Sequence, residues 1–161
     1  MSADQIARLQ QQLRDASAAV LASVEGCSEE EAHQVPAPGE WTVAQLLAHI
    51  AEIQGFWMSK AVLITKEEDP QITRTDVEND IRQEAVDDHS GDPLDSLINS
   101  VKEATMAAVD ETGRINPANL GRPGHRQQNP ITVAGVIEYL AEHVALHAQQ
   151  ITDSRRLIAG A

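Results

Sequence analysis

Apolar side chains recur along this chain at the three- and four-residue intervals of an α-helix, and the alternation of a half-buried strand is hard to find. The first stripe, Ile6, Leu9, Leu13, Ala16, Val20 and Val24, predicts a helix from about Asp4 to Glu25 that Gly26 ends. A second helix opens after Pro36-Ala37-Pro38-Gly39, where Thr42 can cap the amino end and Gln45 completes a capping box. Its stripe runs Val43, Leu47, Ile50, Gln54, Trp57, Ala61 and Ile64, widened by Leu46, His49, Ile53 and Phe56. Asp69-Pro70 marks its end. The third opens at Asp92-Pro93, an acceptor side chain followed by a proline suited to a first helical turn. Leu94, Leu97, Val101, Ala104 and Ala108 form its inner face, and Gly113 follows. The fourth starts at Pro130-Ile131-Thr132, with Thr132 as cap, and carries Val133, Ile137, Leu140, Val144, His147, Ile151 and Ile158.

Two stretches remain. Residues 75–88 predict a short, very acidic helix resting on Val77, Ile81 and Ala85. Residues 116–130, rich in Gly, Pro, Asn and Gln, predict a long loop over one end. Four amphipathic helices of roughly 20 residues, joined partly by long crossings, make an all-α four-helix bundle. At 161 residues with no repeat, one domain spanning 1–161 is expected.

Composition narrows the function classes. Hydrophobic residues at 42% exclude wholesale disorder. Twelve Lys and Arg against twenty-five Asp and Glu give 12 − 25 = −13, a charge that repels nucleic acid and anionic membrane surfaces. Aromatics at 2% leave little for a base-stacking platform. No apolar run approaches the ~18 residues a membrane span needs, and the first residues lack a secretion signal, so a soluble cytoplasmic protein is expected. Cys27 is the only cysteine and cannot form an intramolecular disulfide, which fits a reducing compartment.

Three of the six histidines stand out by position. His143 and His147 are four apart on the fourth helix, so their rings leave one face about one turn apart and can share a cation. His49 lies between Leu46 and Ile53 on the core side of the second helix. Facing helices would bring together three imidazoles with an open position, as in a catalytic metal site. The competing reading is three packed, hydrogen-bonded core histidines, and spacing alone leaves both open.

These residues also carry a resemblance. Residues 39–50, Gly-Glu-Trp-Thr-Val-Ala-Gln-Leu-Leu-Ala-His-Ile, resemble the opening of the second helix in the DinB-like superfamily. Residues 138–151, from Glu138 through His143 and His147 to Ile151, resemble its last core helix. The order and spacing of both blocks match, and the first helix and the loop before Pro130 fit too, so the resemblance covers nearly the whole chain. It implies a bundle with one divalent metal ion held by His49, His143 and His147. It also implies chemistry similar to that of thiol-S-transferases and mycothiol- or bacillithiol-dependent enzymes, and a homodimer. Zinc and nickel both suit imidazole. The partners expected are a small electrophilic substrate and a low-molecular-weight thiol, with water as the alternative nucleophile of a hydrolase. No residue declares itself as general base. The rival from another class is a non-enzymatic stress or interaction bundle with packed or structurally metallated histidines.

Other residues have weaker claims. Glu52, three after His49, is read as solvated, with a place near the metal as the alternative. Glu142 is expected to face solvent, and Trp41 to pack at its helix start or line a pocket. His125 is read as a solvated loop histidine, with a position over the site as the alternative. Arg122 and Arg126 form a positive patch suited to a substrate carboxylate, and Cys27 is a small packing residue.

Overall fold

The structure, a computed structural model, describes residues 2–160. Helix α1 spans Ser2–Ser23 and buries Leu9, Leu13 and Val20. Gly26, at φ 73°, turns the chain away in a conformation that penalises any residue with a Cβ. The four-residue helix α2, Glu29–Ala32, follows with Ser28 as its cap. It is too short for periodicity to reveal. Helix α3, Val43–Lys66, opens with the expected capping box: Thr42 accepts from the Gln45 N–H while Gln45 accepts from the Thr42 N–H. Helix α4 spans Asp76–His89, with a second capping box between Thr75 and Glu78. Helix α5 covers Leu94–Arg114 and, after a 3-10 turn at Pro117–Asn119 and a short hairpin, α6 covers Val133–Ala159 under a Thr132 cap.

Helices α1 and α3 each pack against both α5 and α6, so these four close into a ring with α1 diagonal to α3 and α5 diagonal to α6. The α1-to-α3 and α5-to-α6 connections therefore cross opposite ends of the bundle, the first at the amino end of α3 and the second at its carboxyl end, where Arg122 bonds Ile64 O and Glu67 O, which accounts for their length. Every residue of the α3 stripe from Val43 to Ile64 is buried, Gln54 included. Gln54 is accommodated by a polar knot: Thr105 Oγ1 lies 2.9 Å from Gln54 Oε1 and 3.0 Å from Ser17 Oγ, tying three helices. No helix among the described residues is long and apolar enough to cross a membrane.

Three local expectations are corrected. The stretch 116–130 is not simply a loop, because β1 (Pro123–Arg126) pairs antiparallel with β2 (Asn129–Thr132). This hairpin forms because His125 also bonds the strap at Pro70–Ile72, through His125 N to Pro70 O at 2.9 Å and Ile72 N to His125 O at 2.7 Å. Gly124 permits that approach, since a Cβ there would stand 2.9 Å from Ile64 Cδ1 and 3.1 Å from Pro70 O.

Helix α4 does not rest on Val77 and Ile81, which are 68% and 57% exposed. Its inward face is Glu78, Arg82 and Val86, set by the Lys60–Glu78 ion pair at 2.8 Å and the burial of Val86. Nor does Asp92 cap α5. Asp92 Oδ2 holds His89 Nδ1 at 3.0 Å, and the Leu94 N–H donates instead to Glu29 Oε1 at 2.7 Å. The acceptor for that orphan amide arrives from α2, where local sequence could not reveal it.

Candidate metal centre

Packing of α3 on α6 puts His49 opposite His143 and His147. One ring nitrogen from each lies within 4.8 Å of the other two. His143 Nε2 and His147 Nε2 are 3.1 Å apart, and the His49 ring centroid is 4.7 Å from that of His147. His49 is buried, while the other two are half-buried. Trp41 turns its edge toward His49 at 5.2 Å, and Tyr139 stacks on His143 at 5.5 Å. Trp41 thus packs against the cluster from the start of α3.

The cluster suits uncharged imidazole. Burial pushes His49 down to about 3, with the His147 ring and the Arg82 guanidinium adding to the effect. Burial, then His147 and Arg126, take His143 down to about 4, and burial also lowers His147. Neutral rings present the lone pairs a metal ion needs. His147 Nδ1 lies 3.0 Å from Gln150 Oε1, an acceptor, so the proton sits on Nδ1 and Nε2 is left as a donor of electrons. Two nitrogens at 2.0–2.1 Å from one tetrahedral ion stand about 3.3 Å apart, close to the 3.1 Å between these two. His49 Nδ1 is buried without a hydrogen-bond partner among the described residues. The three residues are compatible with a divalent ion.

A cavity of about 250 Å³ opens beside His49 and His143 and is walled by Arg74, Arg82, Arg126 and Tyr139. Arg74 is held by Glu52, with Nη1 2.9 Å from Oε1 and Nη2 3.3 Å from Oε2, and lies over the Phe56 ring. Arg126 Nη2 donates to the Tyr139 hydroxyl at 3.1 Å, and its guanidinium sits 4.3 Å from that ring's centroid. A larger apolar groove of about 550 Å³, between α3 and α5, holds no histidine.

Some expectations change here and others hold. Glu52 is neither solvated nor one of the clustered ligands, because Arg74 takes its carboxylate in a largely buried pair. Arg122 is not at the site: its Nε and Nη2 donate to Ile64 O and Glu67 O, capping the carboxyl end of α3. His125 pairs with Asp69 at 2.6 Å, away from the cavity wall. Glu142 is exposed, and Arg126 does reach the site. Cys27 packs against the core with its thiol pushed up by burial and by Glu31, the opposite of an activated nucleophile. Arg74, Arg82 and Tyr139 were not anticipated in the site. Tyr139, four before His143, shares its helical face and was discoverable; the arginines arrive through tertiary packing.

The DinB superfamily profile matches residues 12–151. The chain belongs to the DinB superfamily. Among solved structures, this DinB-superfamily chain is similar to YfiT from Bacillus subtilis, described as a probable metal-dependent hydrolase with an unusual four-helix bundle topology. That likeness has a TM-score of 0.78 at 19% identity and covers 97% of this chain and 89% of the other. It is also similar to the mycothiol-dependent maleylpyruvate isomerase, with TM-score 0.74 and 14% identity over 91% of this chain. It spans 60% of that isomerase's chain. At such identities the likeness concerns the fold. No curated protein matches the sequence.

Proposed function

We propose that this DinB-superfamily chain is a metal-dependent enzyme in which His49, His143 and His147 hold one divalent ion, zinc or nickel. The observation that carries the reading is the convergence of three imidazoles, each with its pKa lowered, beside an open cavity. When bound, a divalent ion supplies Lewis acidity that makes a thiol or water nucleophilic near neutral pH. The rest falls to the chain's own side chains. Gln150 fixes the tautomer and orientation of His147. Trp41 and Tyr139 wall the cluster, restricting water and approach angle. Arg74, steadied by Glu52, keeps the cavity rim in place. The electrophile is small, and the nucleophile is a low-molecular-weight thiol or water.

The family membership and the fold shared with a probable metal-dependent hydrolase support this reading. It is tested by metal analysis followed by turnover assays with and without added zinc or nickel. Candidate thiols paired with small electrophiles form one series, and hydrolysable amides and esters the other. Metal at one ion per chain with no turnover in either series would favour a structurally metallated bundle. A cytoplasmic two-fold dimer belongs to the same reading. Sedimentation of a 17.4 kDa species alone at micromolar concentration would refute that part.

A further inference from the structure

The cavity beside the histidines carries an electrostatic anomaly. The chain has thirteen more acidic than basic residues, yet among the described residues the wall of this cavity includes three arginines and no carboxylate. Arg74 is compensated by Glu52. Among the described residues, Arg82 and Arg126 have no carboxylate partner. Arg82 Nε is buried with no hydrogen-bond partner among the described residues. A guanidinium carries five N–H donors, and leaving them unpaired in a sheltered site is costly. Arg126 spends one contact on the Tyr139 hydroxyl and stacks on that ring, which orients the rest of its fork.

We propose that Arg82 and Arg126 form an oxyanion clamp, so that the substrate is a small organic anion whose carboxylate or phosphate they bind while its reactive end faces the histidines. This rests on reading the histidines as a reaction centre. The two guanidiniums approach from different elements, α4 and β1, on the wall they share with His49 and His143. Planar forks match both oxyanions, and the match supplies affinity and orientation together. The confined volume of about 250 Å³ favours a small molecule over a peptide or polymer. Two uncompensated positive charges also make the site repel a cationic substrate and leave a neutral one without its anchor.

The experiment is calorimetric titration of succinate, methyl phosphate and neutral succinamide into chelator-treated protein and into zinc-loaded protein. Tryptophan fluorescence gives a second readout, since Trp57 lines the same cavity. Saturable binding of succinate or methyl phosphate at one per chain is expected in both preparations, with succinamide at least tenfold weaker. The tighter anion tells carboxylate from phosphate. Arg82→Gln and Arg126→Gln should each weaken the anion at least tenfold while circular dichroism and zinc content stay at the parent level. Arg114→Gln, at a side chain 71% exposed, should change nothing. If a glutamine variant loses its helical signal, the charge-preserving Arg82→Lys or Arg126→Lys takes its place. It should weaken binding through loss of the fork.

Equal binding of succinamide and succinate would overturn the clamp. So would parent-level anion binding in the arginine variants, including binding seen only with zinc, which would make the anion a metal ligand. Arginine-dependent anion binding in a protein that takes up no zinc would support the clamp while sinking the metal reading.

Discussion

His143 Nε2 and His147 Nε2 face each other at 3.1 Å across one turn of α6, with ring planes at 90°. Because His147 Nδ1 meets the Gln150 amide oxygen, the His147 lone pair points into the gap between the rings. In metal-free protein the two neutral rings can share one N–H···N bond. To hold an ion through Nε2, His143 would carry its proton on Nδ1 instead, leaving a lone pair on each Nε2. His49 completes the set from the neighbouring helix α3.

His147→Ala should leave a folded helical protein that no longer holds metal in stoichiometric amount. The parent, purified without chelator, should carry about one divalent ion per chain, because three imidazoles hold zinc tightly and two do not. His89→Ala, at an exposed residue paired with Asp92, should change nothing. Elemental analysis of the three proteins decides it, and equal metal in the His147 variant would refute the ligand assignment.

Gln150→Ala should weaken zinc affinity by about tenfold to a hundredfold without abolishing binding, the usual effect of losing a residue that orients a ligand. Competition against a chromophoric chelator measures it. Parent-level affinity would mean that the 3.0 Å contact at His147 Nδ1 does not steer the ring.

Metal-free protein should lose stability as pH falls from about 6.5, the ordinary histidine value. In the fold His49 titrates only at about 3 and His143 only at about 4. Across that interval the unfolded chain binds protons that the native state does not, so acidification favours unfolding. The contribution is intact above pH 6.5 and declines below it. Urea midpoints at stepped pH values should therefore fall less steeply for His49→Gln than for the parent. Parallel curves would contradict the shift.

Glu52→Gln should destabilise the fold by about 1–3 kcal/mol while leaving zinc content unchanged. The substitution removes the negative charge facing Arg74, which keeps only neutral acceptors such as Glu78 O, in a pair whose side chains are only 11% and 15% exposed. Urea unfolding gives the first quantity and elemental analysis the second. Loss of zinc would make Glu52 part of the metal's surroundings after all.

The helices were legible because their signals are local. A capping box at Thr42 and Gln45 closes within three residues, and a stripe such as Leu9, Leu13 and Val20 needs only the pitch of the helix. The same pitch placed His143 and His147 on one face and His49 on the core side of a second helix before any fold was known, and the family resemblance implied a metal shared by the three. Sequence alone therefore determined the bundle's elements and the candidate ligands. Tertiary structure decided what surrounds them. Whether Glu52 meets water or a cation depends on Arg74, twenty-two residues away on a different segment. The rotation of α4, which exposes Ile81 and turns Arg82 toward the cavity, depends on Lys60 of α3 and the socket for Val86. The hairpin that delivers Arg126 depends on a backbone bond to Pro70 and on Gly124 fitting against Ile64. Each of these is set by burial and by charge partners that meet only after distant segments have packed, so no window of neighbouring residues contains the information.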